Sequence, residues 1–242
     1  MIDTHCHIDL YNNPENLVEE INREGITVIG MTNLPSHFAM GYPRVKNYKK
    51  IRLALGLHPL FAEHHALEFP RFLELSKLTS YIGEVGLDFS NEGLPSKSIQ
   101  LGSFNKILKS LRFEKKLFSI HSRKAEKEVL LSLRSFEVKA AIFHWYSGPL
   151  KLIEDITRSN YYFSINLAMI RSKSGQKIIG RIPRRYILTE TDGPFVEKNG
   201  KPVRPEDIKF VISYLASVWS CEYFEADKQI KNNFSNILTL IK

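Results

Sequence analysis

Six side chains of this chain could share metal ions: His5, His7, Glu84, His121, His144 and Asp192. They stand in the segments THCH, YIGEVGLD, FSIHSR, IFHWYSG and ILTETDGP. Side chains alternate between the faces of a strand, so His5 and His7 would point one way and Cys6 the other. A His-x-His pair at a strand end is a metal-ligand pattern, whereas Cys6 fits a small buried thiol. Glu84 falls inside an apolar run, where a carboxylate is costly unless paired or coordinated. Its two oxygens could bridge two cations or meet a Lys or Arg. His121, His144 and Asp192 each close an apolar run. Imidazole and carboxylate ligands suit Zn²⁺, Mn²⁺ or Mg²⁺. A pair of such ions, roughly 3.5–4 Å apart, lowers the pKa of a bound water and stabilises attacking and leaving oxygens.

Several neighbours belong to the same pattern. His58, in GLHP, closes the third apolar run and is expected to touch substrate, with a seventh metal ligand as the alternative. Arg123, just past His121, could grip a phosphate oxygen in forked geometry or form a surface ion pair. Glu190 would share the face of Asp192 from deeper in the strand, as a supporting carboxylate. Asp88 fits a turn or a supporting group. His37, His64 and His65 take no role.

These residues need strands to carry them. Eight short apolar runs are expected as strands: Met1–His7, Ile26–Thr32, Ile51–His58, Tyr81–Asp88, Leu117–Ser122, Lys139–Trp145, Tyr161–Asn166 and Tyr186–Asp192. Helical stretches alternate with them, at Pro14–Glu24, Leu67–Lys77, Ile99–Lys115, Lys124–Arg134 and Leu150–Arg158. Pro14 and Gly25 bracket the first of these. In the third, Leu101, Phe104, Ile107, Leu108 and Leu111 recur at helical spacing. Residues 33–50 stay ambiguous because Pro35, Gly41 and Pro43 break the pattern. Two further helices are expected near Glu206–Val218 and Glu222–Ile241. Alternating strands and helices predict a parallel sheet with helices outside it, and eight strands can close a TIM-type (β/α)₈ barrel. The 242 residues match the ~250 of one such barrel, so residues 1–242 are expected to form a single domain. An open doubly wound sheet is the alternative, weakened by the lack of a Gly-rich loop after the first strand. In a barrel, active sites lie at the carboxyl ends of the strands, where these candidates fall.

Bulk composition narrows the partners. The formal net charge is +8, which favours a polyanion such as nucleic acid or is only a basic solvated surface. Two cysteines make no disulfide framework and suit a reducing compartment. The start MIDTHCHIDL does not read as a signal peptide, and no apolar run approaches the roughly 18 residues of a membrane span. A cytoplasmic protein without membrane association is expected.

Taken together, THCH, GLHP, GEVGLD, IHSR, FHWYSG and TETDGPF resemble the TatD-type deoxyribonucleases, metal-dependent members of the amidohydrolase-like barrels. The likeness runs in order to about residue 195 and continues weakly through NNFSNIL. It implies two divalent ions per chain. His5, His7, Glu84 and Asp192 would hold one, and the shared Glu84 with His121 and His144 the other. It makes Glu84 and Asp192 the catalytic carboxylates, with Asp192 orienting or deprotonating the attacking water. It puts His58 and Arg123 against the scissile phosphate of a DNA substrate. HWYSG, Gly193 and Phe89 depart from the commoner family pattern. HWYSG, FSINLAM and TETDGPF are similar to the TatD-type component of bacterial Qat anti-phage systems, whose partners would be an ATPase and a QueC-like protein. A small-molecule amidohydrolase-type barrel and a catalytically silent nucleic-acid-binding component are the competing readings. Glu84 stands where many two-metal relatives carry a bridging lysine, which favours the nuclease.

Overall fold

Residues 1–242 are described by a computed structural model. β-branched, aliphatic and aromatic residues dominate the strands, as packing on a pleated surface favours. These are β1 (Ile2–Cys6), β2 (Thr27–Gly30), β3 (Ile51–Leu53), β4 (Leu55–Leu57), β5 (Tyr81–Gly86), β6 (Leu117–His121), β7 (Ala140–His144), β8 (Tyr162–Ile165) and β9 (Ile187–Thr189). Every ladder among them is parallel. The expected third strand is realised as two pieces. β3 pairs with β2, β4 pairs with β5, and Ala54 lies between them. The Thr32 hydroxyl fills the break by donating to the Ala54 carbonyl (2.8 Å) and accepting from the Gly56 N–H (3.1 Å). A side chain at Gly56 would meet the Thr32 carbonyl oxygen at 1.6 Å, so only glycine allows this approach.

β9 returns to β1 and closes the TIM-type barrel. The seam uses hydroxyls as well as main chain. Thr4 Oγ1 donates to the Thr189 carbonyl (3.1 Å), Thr189 Oγ1 to the Ile2 carbonyl (2.5 Å), and the Asp192 N–H to the His5 carbonyl (2.9 Å).

The outer layer contains α1 (Pro14–Glu24), α2 (Pro35–Val45), α3 (His65–Leu75), α4 (Lys97–Ser110), α5 (Glu126–Ser135), α6 (Leu150–Arg158), α7 (Leu167–Arg171), α8 (Lys173–Arg181), α9 (Ile208–Trp219) and α10 (Tyr223–Thr239). The Asn13 side chain caps α1 by accepting from the Asn16 N–H, and Gly25 ends it at φ 68°. The ambiguous stretch forms α2. Pro35 sits in its first turn, where no donor is needed, and Pro43 lies only near its end. α7 and α8 fill a stretch with no helix expected from the sequence. A small antiparallel hairpin, β10 (Glu197–Lys198) with β11 (Lys201–Pro202), lies in the loop after β9.

The core has two layers. Phe38, Phe72, Phe104 and Phe143 pack between helices and barrel wall. Ile2, Ile29, Met31, Ala54, Leu117, Ala140, Ile142 and Leu188 fill the barrel, joined by Phe234 and Ile237 of α10. Because Ile2, Leu117 and Ala140 open their strands, α10 plugs the amino end, leaving the carboxyl end for chemistry. No helix is long and apolar enough to cross a membrane.

Candidate metal centre

Two strands carry an extra residue where candidate ligands stand. Asp3 and Cys6 of β1 pair with Val28 and Gly30 of β2, so three steps oppose two. Ile82 and Val85 of β5 likewise oppose Leu55 and Leu57 on one side and Phe118 and Ile120 on the other. Such bulges re-aim side chains beside active sites. Here they break the alternation. Ile82 and Val85 pack outward, and the extra step between them belongs to Gly83 and Glu84. A side chain at Gly83 would meet Met31 Sδ at 2.7 Å and Ser119 Cβ at 2.9 Å, in the barrel interior. Glycine therefore lets Glu84 enter the rim.

Glu84 is buried, and its two oxygens face two groups. Oε2 lies 3.1 Å from His7 Nε2 and 3.4 Å from His5 Nε2. Those nitrogens are 3.3 Å apart, and Asp192 Oδ1 lies 3.6 Å from His5 Nε2 and 3.8 Å from His7 Nε2. Four ligands at zinc-like distances around one ion would have edges of about 3.3–3.4 Å. The donor set therefore fits one divalent cation. Oε1 lies 2.6 Å from His121 Nδ1 and 2.7 Å from His144 Nε2, which are 3.4 Å from each other. These imidazole and carboxylate donors are again of the kind that hold divalent cations, and His58, Glu84 and His121 offer a further such group. All six predicted ligands thus meet in one buried cluster, with Glu84 between its halves.

Outer contacts orient the rings, as supporting groups do in metal sites. His5 Nδ1 lies 2.8 Å from Ser119 Oγ, and His121 Nε2 lies 2.7 Å from Asp88 Oδ2. Glu190 is wholly buried and accepts from the Trp145 N–H (3.0 Å), Asn166 Nδ2 (2.9 Å) and Ser164 Oγ. It lies 3.9 Å from His144 Nδ1. Trp145 and Asp192 adopt left-handed φ values of 37° and 49°, strain of the kind found at functional sites.

Charge divides the cluster. Burial holds the His5 imidazole well below its usual range, with neighbouring His144 adding to the effect. Burial opposes charge on His144 too, but Glu84 and Glu190 outweigh it and hold that ring well above its usual value. Burial likewise disfavours charge on His121, where hydrogen bonds to Asp88 and Glu84 win and raise its pKa. Glu84 is held well below the carboxylate range, because His58, His144 and His5 overcome its burial. Burial pushes Asp192 well above that range.

His58 also reaches Glu84, with Nε2 3.3 Å from Oε1. Its Nδ1 accepts from the Leu60 N–H (3.2 Å), so the proton of the neutral ring sits on Nε2. His58 is thereby set as a donor. Burial keeps its pKa low. Its carbonyl lies 3.0 Å from Nε2 of buried His65, a contact the sequence did not suggest. Arg123 is not brought into this cluster. It lies in the turn after β6, exposed and without an ion pair, and its carbonyl accepts from the Phe89 N–H (2.9 Å). Sequence reasoning also passed over Ser119, although it stands two residues before His121 and so shares its face.

The Gly193 departure has a local cause. A side chain there would meet the Tyr11 hydroxyl at 1.9 Å and the Val203 carbonyl oxygen at 2.5 Å. A groove of about 580 Å³ between α1 and α2 is lined by none of the six ligands and is separate from this centre.

A family model described as TatD related DNase matches residues 2–239. An uncharacterized metal-dependent hydrolase of Methanocaldococcus jannaschii is 25% identical over 240 residues, covering 96% of this chain and 94% of its own. Human deoxyribonuclease TATDN3 is 25% identical over 241 residues, covering 90% of this chain and 87% of its own. The crystal structure of YjjV, a TatD homolog from Escherichia coli K12, superposes with a TM-score of 0.88 at 24% identity, covering 98% and 97% of the two chains.

Proposed function

This chain belongs to the TatD related DNase family of metal-dependent hydrolases, and from that premise we propose that it hydrolyses DNA phosphodiester bonds at the barrel rim. The observation that carries the reading is the Glu84 carboxylate, with one oxygen among His5, His7 and Asp192 and the other between His121 and His144. His5, His7, Glu84 and Asp192 would hold one divalent ion, and Glu84, His121 and His144 a second. Two such ions supply an activated water and neutralise charge on the attacking and leaving oxygens. The residues themselves do the rest. Asp192, beside His5 and His7, would take the proton of the attacking water. His58 donates from Nε2 to a phosphate oxygen, and Arg123 meets the same phosphate from the exposed turn. Asp88, Ser119 and Glu190 hold the rings in place. The net charge of +8 favours a polyanionic substrate.

The finer reading is a 3′-end exonuclease within a Qat-type defence assembly, with residues 1–242 acting as one catalytic domain. HWYSG, FSINLAM and TETDGPF support that branch. The test uses DNA labelled at its 5′ end, incubated with Mg²⁺, Mn²⁺, Zn²⁺ or EDTA, beside a Glu84→Ala, Asp192→Ala double variant. A metal-dependent ladder shortening from the 3′ end, lost in the variant, is expected. Cleavage that persists in EDTA would overturn the metal mechanism. Uncut DNA alongside turnover of a cyclic amide or lactone would move the reading to a small-molecule hydrolase.

A further inference from the structure

A wholly buried carboxylate outside the metal cluster binds the two segments that deliver His5 and Asp192. Asp3 stands on β1, before the bulge, and is solvent-inaccessible. Its Oδ1 accepts from the His5 N–H (3.2 Å) and the Thr191 N–H (3.0 Å), and its Oδ2 from Thr191 Oγ1 (2.5 Å). The main chain explains why a side chain is needed. The Glu190 N–H donates to the Ile165 carbonyl of β8, and the Asp192 N–H to the His5 carbonyl on the opposite side. In a regular strand, N–H groups two apart point to the same side. The chain therefore changes bonding partner across Thr191, whose N–H is caught by Asp3. Buried main-chain donors require an acceptor, and here one carboxylate serves both ligand-bearing segments. Across that seam, His5 Nε2 and Asp192 Oδ1 are 3.6 Å apart.

We propose that Asp3 is a positioning residue for the first metal site: it sets the spacing of His5 and Asp192 by accepting the main-chain donors left over by the bulge and by the turn at Thr191. The inference rests on the metal reading above. Asn at this position would keep it, because its carbonyl oxygen accepts both N–H groups and its amide donates to the Thr191 hydroxyl. Ala would not.

The experiment titrates the chelator-stripped full chain with Mn²⁺ by calorimetry, comparing wild type, Asp3→Asn, Asp3→Ala and Thr191→Val. Amide hydrogen exchange of the metal-free proteins is followed in parallel. In Asp3→Ala the site built on His5, His7 and Asp192 should weaken about 10–100-fold, the scale of lost supporting groups in metal sites. The site built on His121 and His144 should move less than about threefold. Asp3→Asn should match wild type, Thr191→Val should fall between, and exchange at Thr191 should quicken in Asp3→Ala alone. Unchanged affinity in Asp3→Ala, or equal weakening of both sites, overturns the proposal. A wild type that binds no ion would instead overturn the metal reading, and the exchange data would still report whether Asp3 joins the two segments.

Discussion

Glu84 makes the strongest demand at the residue scale, because both halves of the cluster converge on its two oxygens. Replacing it with Gln keeps the shape and removes the charge. Glu84→Gln is expected to lower DNA hydrolysis by ~10³–10⁶-fold, the range for a central member of a catalytic unit. It should also lower bound metal, read by elemental analysis. A variant with full metal content and near-normal rates would show that the carboxylate does not bridge. Protons supply a second test. His121 and His144 are held above their usual pKa by Asp88, Glu84 and Glu190, and Asp192 is held above the carboxylate range by its burial, so an ion that binds them must displace protons that free groups lose at lower pH. His5 is held below and has none to release. Metal uptake should therefore release protons, and affinity should fall as pH drops below the raised values, by up to about tenfold per unit for each proton displaced. Calorimetry in buffers of different ionisation enthalpy reads this directly. Proton-neutral binding would contradict the assignment.

Elements position these residues through their irregularities. β1 and β5 deliver His5 and Glu84 at bulges, and the β3–β4 break is spanned by the Thr32 hydroxyl. The loop after β9 is fixed by contact. Tyr11 donates to the Val203 carbonyl, and Gly193 leaves room for both. Gly193→Ala would drive a methyl into the hydroxyl and the carbonyl. A loss of about 1–3 kcal/mol is expected, the usual cost of overpacking, measured by denaturant unfolding. Adding Tyr11→Phe should recover only part of it, since the Val203 carbonyl remains in the way. Full stability in Gly193→Ala would mean that the loop after β9 shifts freely.

For the molecule as a whole, the carboxyl end of the barrel gathers a buried set of imidazoles and carboxylates, while α10 plugs the amino end. Ions that bind only the folded chain must stabilise it. At a free metal concentration 100 times its Kd, each site adds ~2.7 kcal/mol, so EDTA should lower Tm and added Mn²⁺ should restore it. A Tm indifferent to chelation would exclude a high-affinity centre. The net charge of +8 predicts that oligonucleotide binding weakens as salt rises, with a slope set by the phosphates contacted. A salt-independent Kd would assign recognition to other contacts.

Periodicity and residue type made much of this legible before any fold was known. Alternating runs specify strands and helices, and metal-binding side chains at run ends specify a rim, because local preferences and chemistry are written residue by residue. α1 and α6 lie at Pro14–Glu24 and Leu150–Arg158, as their sequence signals indicate. Other features were decided only by tertiary packing. Alternation cannot reveal that Gly83 and Glu84 share a bulge, since that depends on the register of the strands on either side. Nor can it show that Asp3 accepts from Thr191, 188 residues away, or that His58 carries its proton on Nε2. The sequence offers Arg123 for a phosphate oxygen or a surface ion pair, and only the fold places it exposed in the turn after β6. These outcomes depend on which backbone donors remain unpaired once the barrel closes, and that closure joins residues the linear sequence keeps apart.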